Sequence, residues 1–312
     1  MAPARPFLKW AGGKTQLLAQ FSQLYPRAAD ARRFIEPFVG SGAVYFHVGS
    51  LLCPDRTILA DDNSELINVY RVIQGDVGSL IRQLRKHKAA HSRDHYYAVR
   101  ARDPGRMGPA ARAARTIYLN RTCFNGLYRV NSGGGFNVPM GNYKDPPILD
   151  EENLRAVNES LARVLIRAAH FRETLRYARA GDFVYFDPPY HPISTTSYFT
   201  SYTRGSFGPA DQEELAEVYA RLAARGCRVM LSNSDCPFIR DLYRGFDVRT
   251  AMARRSINSN AGRRGKIAEL VVLSYDPPSA PAAARVRRAP TGSTRASRPA
   301  PRSRPGEPRP PL

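Results

Sequence analysis

The sequence predicts an α/β fold, a mixed sheet flanked by helices and interrupted by a helical and hairpin insertion. Three observations predict it. The runs Arg33-Phe34-Ile35-Glu36, Thr57-Ile58-Leu59-Ala60 and Asp182-Phe183-Val184-Tyr185-Phe186 have the length and β-forming, apolar character of buried strands. The second and third end in Asp61 and Asp187, at the carboxyl edge where α/β sheets bind their ligands. The first is followed by Pro37-Phe38-Val39-Gly40-Ser41-Gly42 and a helical stretch from Ala43, the turn that Rossmann-like folds use for a nucleotide-bearing cofactor.

Taken in order, the chain opens on Phe7-Leu8-Lys9-Trp10-Ala11-Gly12-Gly13-Lys14-Thr15. Gly13-Lys14-Thr15 is not a phosphate loop, because that motif needs a glycine at position 8, where Leu8 stands, and a preceding strand. The paired glycines read as a tight turn into a helix whose first amides favour an anion, with Lys14 adding charge and Trp10 a flat face. Asp61, closing the second strand, is placed for ribose hydroxyls, and Asp62 reads as the cap of a helix from Ser64. Residues 68–115 look helical and basic, as solvated helix faces usually are.

Thr116 to Asn131 alternates apolar, aromatic and polar residues around Asn125-Gly126, and Ser132-Gly133-Gly134-Gly135-Phe136-Asn137-Val138-Pro139 follows. A glycine-rich hairpin carrying arginine and aromatic rings suits a DNA groove, with Arg on guanine and a ring wedged between bases; an RNA-binding loop has similar composition. A helix is expected from Glu151 to about Arg163, and apolar residues 164–171 lead to the central strand.

That strand stops at Asp187-Pro188-Pro189-Tyr190. Each proline locks φ and lacks an N–H, so the chain leaves the sheet stiff and extended. Asp-Pro-Pro also occurs at Asp145 and Asp276, but only the copy at Asp187 follows an apolar strand and ends in an aromatic. A carboxylate, proline carbonyls and a ring together suit the amino group of a flat base. Beyond it, His191 to Phe207 is expected to be a mobile loop over the site. A helix opening at Asp211, a buried strand Arg228–Asn233, a basic phosphate-contacting loop Arg254–Lys266 and a closing strand Ile267–Tyr275 complete the ordered part.

The 312 residues are 43% hydrophobic and carry a net charge of +20, with a pI near 10.3, which implies a polyanionic partner. The tail from Asp276 holds eight arginines against Asp276 and Glu307, so most of the +20 lies outside it. With ten prolines and few large apolar residues, that tail is disordered by composition and adds unspecific DNA affinity. No run is long and apolar enough for a membrane, and Cys53, Cys123, Cys227 and Cys236 form neither a C-x-x-C pair nor a zinc cluster. Reduced thiols, a cytoplasmic location and no metal site are the expectations.

The ordered set Lys9-Trp10-Ala11-Gly12-Gly13-Lys14, Glu36–Gly42, Ala60-Asp61-Asp62-Asn63, Asn125-Gly126-Leu127-Tyr128-Arg129, Phe136-Asn137-Val138-Pro139, Asp187-Pro188-Pro189-Tyr190 and Arg255–Asn260 resembles the Dam-type DNA adenine-N6 methyltransferases over about residues 6–275. The resemblance implies a class I methyltransferase sheet that binds S-adenosylmethionine, and double-stranded DNA as partner, usually at GATC. It implies a catalytic domain of residues 1–63 and 148–275, a target-recognition domain of 64–147, and a tail of 276–312 outside the family pattern. Asp187, Pro188, Pro189 and Tyr190 would hold a flipped-out adenine. Trp10, Lys14, Phe38, Gly40, Gly42, Asp61 and Phe171 would line the cofactor pocket, with Asp187 at its far end. His170 departs from the small or acidic residue usual there. Arg129 would read guanine, Phe124, beside Asn125, would insert into the duplex, and Leu127 and Pro139 would meet thymine. Lys9 would reach the outer base pair, and Arg121, Asn137 and Lys144 would hold phosphates. Asn142 stands where some relatives carry a basic residue. A cognate restriction endonuclease is an optional partner, not physically required. The alternatives are a cytosine-N4 methyltransferase, a protein-glutamine methyltransferase, which usually has Asn in place of Asp187, and a DNA-binding module without activity.

Overall fold

Seven strands build one sheet: β1 (Arg33–Glu36), β2 (Arg56–Asp61), β3 (Val164–Ala168), β4 (Phe183–Phe186), β5 (Arg228–Ser234), β6 (Asp247–Arg254) and β7 (Lys266–Leu273). Their order is β3-β2-β1-β4-β5-β7-β6. The first five positions are parallel, and β7 runs against both β5 and β6. This is the class I methyltransferase fold. The computed structural model describes residues 3–10, 12–52, 56–131, 133–192, 207–254 and 266–278. Most of the loop expected to be mobile, most of the basic loop Arg254–Lys266 and the tail after Pro278 lie outside the described residues.

Strand character follows from burial on both faces. In β4, Phe183 and Tyr185 enter the core that holds Phe34 and Met230, while Val184 and Phe186 enter the one that holds Ile35, Val229, Leu231 and Tyr219. The side-chain period of two sends alternate residues to opposite faces. From β1 the chain crosses to β2 on one side, and from β4 to β5 on the other. A crevice therefore opens at the carboxyl ends of β1 and β4, which are paired through Ile35 and Val184.

Helices α2 (Ser64–Ala89) and α6 (Pro209–Ala224) pack on the sheet, α1 (Ala43–Leu52) and α7 (Pro237–Leu242) add Val44, Val48 and Ile239 to its two cores, and α5 (Glu151–Leu161) packs along α2. Helix α3 (Arg93–Ala101) stands against α4 (Pro109–Thr122), which meets both halves of α2, at Glu65 and Asn68 and again at His87. Asn63, not Asp62, caps α2: its side chain accepts from the amides of Glu65 and Leu66 at 3.1 and 3.2 Å. Asp62 sits one residue too early to reach those orphan donors. The helix departs from helical dihedrals at Asp76 (φ −151°, ψ 57°). Before that point Leu66, Val69 and Tyr70 pack towards the sheet, and after it Leu80, Ile81 and Leu84 continue the same core to Tyr96 and Tyr118.

Two expectations need correction. Thr116 to Asn131 is not one hairpin: α4 runs through Thr122 and buries Ile117, Tyr118, Leu119 and Asn120 in succession. A helix enclosed on nearly all sides shows no amphipathic period, so the mixed composition imitates a strand. Asn125 (φ 54°) and Gly126 (φ 64°) form the turn that leaves the helix, and the hairpin proper pairs Val130 with Phe136. The helix expected after Gly13 is a 3₁₀ turn, Lys14–Gln16, then a single α-turn, Leu18–Phe21. Strands β3 and β6 and helix α7 have no counterpart in the sequence analysis.

Side chains occupy part of each sheet edge. On β6 the Gln20 amide donates to the Met252 carbonyl and accepts from its N–H, both at 3.0 Å. On β3, Gln74 donates to the Val164 carbonyl at 2.8 Å and Arg71 to that of Ile166 at 3.2 Å. No helix among the described residues is long and apolar enough to cross a membrane.

Where α2 meets α3 and α4, His87 Nδ1 lies 3.0 Å from His95 Nε2 and the His87 ring stacks on Tyr118. Burial, with His95 and then Arg102 as lesser contributors, pushes His87 down to about 4. Folding thus favours neutral His87, so its contribution to stability is complete above about pH 6.5 and falls away as the pH drops towards 4. Denaturant titrations should show wild type losing on the order of 3 kcal/mol from this group across that window. A His87→Phe variant should have a flatter pH dependence; an unchanged slope would remove His87 from the cause.

Candidate active site and DNA-reading surface

The crevice at the carboxyl ends of β1 and β4 is a cavity of about 540 Å³, lined by Trp10, Lys14, Glu36, Phe38, Gly40, Asp61 and the whole quartet Asp187–Tyr190. Two glycines shape the turn beside it, of which Gly40 lines the cavity and Gly42 does not. Gly40 has φ 46° and a Cβ there would sit 2.9 Å from the Trp10 ring; Gly42 has φ 72° and a Cβ would meet the Tyr70 hydroxyl at 2.7 Å. Both positions exclude a side chain twice over, by backbone conformation and by space. Asp61 accepts from the amides of Gly40 at 3.2 Å and Asn63 at 3.0 Å, and burial raises it to about 7.

At the other end, Lys14 is 3% exposed and its ammonium lies 2.8 Å from Asp187 Oδ1. It also donates to the Gly12 carbonyl and sits 4.6 Å from the centre of the Tyr190 ring. The Ser232 hydroxyl, bonded to the Tyr185 hydroxyl at 2.7 Å, reaches the same Oδ1 at 3.1 Å. Burial raises the Asp187 carboxyl and the Lys14 charge draws it back. Among the described residues, no hydrogen bond reaches Asp187 Oδ2 or the Pro188 carbonyl. The Pro189 carbonyl, in contrast, is taken by Gln212 at 2.9 Å.

The quartet is held by groups that the sequence reading had not singled out. Asn233 accepts from the His191 amide at 3.1 Å and donates to Gln212 at 2.9 Å. Ser234 bonds the His191 carbonyl, and Glu269 of β7 receives the Tyr190 hydroxyl at 2.5 Å. Polar Ser232-Asn233-Ser234 at the end of an apolar strand was the available signal for these. Glu36 was missed too: it is buried, its Oε2 has no hydrogen-bond partner, and burial together with the Asp187 charge raises it well above the carboxylate range.

The remaining expected residues divide by position. Phe171 is buried and stacks on Phe38 at 5.6 Å, behind the cavity wall and not on it; Phe207 joins the pair. Gly42 lies beneath that wall. Phe124, Asn125, Leu127, Arg129, Pro139 and Lys144 are exposed, Phe124 to 52%. Arg121 is not free: Nε and Nη2 both donate to the Phe7 carbonyl, at 3.1 and 2.7 Å. Lys9 lies over the Tyr143 ring at 4.2 Å. Buried Asn120 holds the Lys9 backbone from both sides, at 2.8 and 2.6 Å, and bonds the Gly126 carbonyl. Trp10, on the cavity wall, stacks on Tyr128 of the reading segment at 5.3 Å.

The Lys14–Asp187 pair makes a stability prediction. Lys14→Met leaves a largely buried carboxylate without its counter-charge, which should cost about 3 kcal/mol near neutral pH. The deficit should shrink at pH 5, where the acid, raised further by losing the lysine, takes a proton. Adding Asp187→Asn to the same chain should restore most of the loss. Chemical denaturation of the three chains at pH 5 and 8 measures this, and a pH-independent deficit would contradict it.

Comparison with known proteins places this geometry. The family of D12 class N6 adenine-specific DNA methyltransferases matches residues 10–257. The chain is 43% identical over 277 residues to the Type II methyltransferase M1.LlaDCHI of Lactococcus lactis subsp. cremoris, covering 87% of this chain and 95% of that one. It is 41% identical over 286 residues to the Type II methyltransferase M.MjaIII of Methanocaldococcus jannaschii, covering 87% and 99%. It is 39% identical over 276 residues to a DNA adenine methylase of Serratia marcescens, covering 88% and 99%. The match takes in the cavity, the segment 124–139 and the Asp187 quartet, and the chain belongs to the D12 class of N6 adenine-specific DNA methyltransferases.

Proposed function

We propose that the chain transfers a methyl group from S-adenosylmethionine to N6 of an adenine flipped out of duplex DNA, within GATC. The observation that carries this reading is the pair of open acceptors, Asp187 Oδ2 and the Pro188 carbonyl, beside the Tyr190 ring at the mouth of the cavity. An exocyclic amino group has two N–H bonds to give, and these are two acceptors whose neighbours are already occupied.

The cavity suits the methyl donor. Its volume lies within the roughly 300–1,000 Å³ of small-ligand sites. Trp10 and Phe38 offer apolar faces, Asp61 a carboxylate for ribose hydroxyls, and Glu36 an unpartnered buried oxygen for a polar group. S-adenosylmethionine, when bound, supplies an electrophilic methyl on a sulfonium sulfur. The residues of the chain do the rest. Adenine N6 is a weak nucleophile because its lone pair is delocalised into the ring, and within the helix it is out of reach. Tyr190 stacks on the extruded base, while Asp187 and Pro188 each accept one N6–H. Their pull takes the nitrogen towards tetrahedral geometry and frees the lone pair. Lys14 and Ser232 fix Oδ1, so that Oδ2 faces the base. Positioning and stabilisation of charge developing on N6 are the whole of the catalysis.

GATC rests on the resemblance of the segments Asn125–Arg129 and Phe136–Pro139, with Arg129 reading guanine and Leu127 and Pro139 meeting thymine. Their exposure on one surface next to Lys9 supports the reading, as does the stacking of Tyr128 on Trp10, which sets that surface beside the cavity.

Labelled methyl transfer to duplexes, with nucleoside analysis of the product, tests the reaction. Asp187→Ala should lower the rate at least about a hundredfold while leaving affinity for S-adenosylmethionine, measured by calorimetry, nearly intact. Transfer within a few-fold of wild type would remove Asp187 from the role. Arg129→Ala should lose about 1–3 kcal/mol of discrimination at one G·C pair of GATC and little elsewhere. Equal losses on all duplexes would make Arg129 a phosphate contact.

A further inference from the structure

We propose that Asn137 is a specificity-determining positioning residue that fixes the direction in which Arg129 presents its guanidinium. This rests on Arg129 reading guanine, as proposed above. Arg129 Nε donates to Asn137 Oδ1 at 2.7 Å. The two residues are also joined through the backbone, the Asn137 amide donating to the Arg129 carbonyl at 3.0 Å, next to the bridge between Val130 and Phe136. Cross-strand neighbours on one face are held at contact distance by the ladder, so the side-chain bond needs no further ordering of the chain.

The hairpin end is equally fixed. Asn131 accepts from the amides of Gly133 and Gly135 at 3.1 and 2.8 Å, and its own amide donates to the Gly135 carbonyl at 2.9 Å. Asn137 is half-buried, while Arg129 is exposed and has no other hydrogen-bond or ion-pair partner among the described residues.

The consequence lies in the shape of the fork. A guanidinium can meet guanine O6 and N7 through its two terminal nitrogens, or sideways through Nε and one of them. With Nε given to Asn137, only the end-on approach remains, and it points along the side chain away from the hairpin. Asn137 thereby selects one of two bidentate geometries before DNA arrives. This differs from the phosphate contact that family resemblance suggests for Asn137, and the two roles separate cleanly. A buttress acts only through Arg129 and only on discrimination. A phosphate contact acts on every sequence and without Arg129.

The test is a cycle of wild type, Asn137→Ala, Arg129→Ala and the double variant, with kcat/KM measured on GATC and on duplexes substituted at each position. Asn137→Ala should reduce discrimination at the guanine read by Arg129 by roughly three- to tenfold, the size of one net hydrogen bond. It should have no effect in the Arg129→Ala background. Asn137→Asp, which keeps the acceptor oxygen, should retain the discrimination even if the added charge weakens binding to all duplexes. Thermal midpoints confirm that each chain is folded. If Arg129→Ala relaxes the guanine position but Asn137→Ala does not, or if the two losses add equally on every sequence, the positioning role is overturned and the reading by Arg129 stands. If Arg129→Ala leaves discrimination intact, that reading falls and this inference with it.

Discussion

A buried ammonium against a carboxylate, Lys14 on Asp187, is the contact from which the site is built. Removing two charges from water is expensive, and an ion pair in such surroundings adds little net stability compared with apolar packing. What it does supply is a counter-charge that draws Asp187 back towards its ionised form inside a crevice. Burial drives Asp187 towards its neutral acid, which would be a poor acceptor for an amino group; the lysine opposes that drive. Glu36, buried nearby, forms no ion pair among the described residues, and the Asp187 charge adds to its burial while Lys14 opposes both only weakly. Glu36 is held far above the carboxylate range.

Around this pair the quartet is supported almost wholly from outside itself. Prolines cannot donate, so Pro188 and Pro189 take no part in a sheet ladder as donors. The segment gains its rigidity from side chains on three other elements: Gln212 of α6, Ser232 to Ser234 of β5 and Glu269 of β7. Each bonds one group of the stretch 187–191, and Asn233 ties α6 to β5 by bonding Gln212. The reversed strand β7 has a specific place in this scheme, because it carries Glu269 to the Tyr190 hydroxyl from the far side of β5.

Much of this was legible in the sequence, and the boundary is physical. Strands β1, β2, β4, β5 and β7 announce themselves because burial on both faces demands apolar, β-forming runs, and the glycine turn and the Asp187 quartet carry local constraints of their own. Strand β6 does not, since its edge position leaves Met252 exposed and places Asp247, Arg249 and Thr250 in the run. The last two turns of α4, from Thr116, look like half of a hairpin in sequence because burial on nearly all sides erases the helical period. Arg121 looks like a free cation in sequence and is tied to the Phe7 carbonyl, a partner more than a hundred positions away. Asn120, which clamps Lys9 to the Asn125-Gly126 turn, is silent for the same reason. Local rules identify which residues carry chemistry; they do not show which polar residues are already committed.

The side chains on the sheet edges have a meaning beyond the single molecule. A strongly basic protein is drawn to DNA wherever it is exposed, so many copies gather along one polymer at a local concentration far above that of the surroundings. Crowding of that kind is what turns an open strand edge into a template for aggregation. Here the carbonyls of Val164 and Ile166 on one margin, and both backbone groups of Met252 on the other, are already spent on Gln74, Arg71 and Gln20. A neighbouring chain meets no free ladder at these positions. Three side chains remote from the chemistry thus leave less of each edge open to pairing with a neighbouring copy.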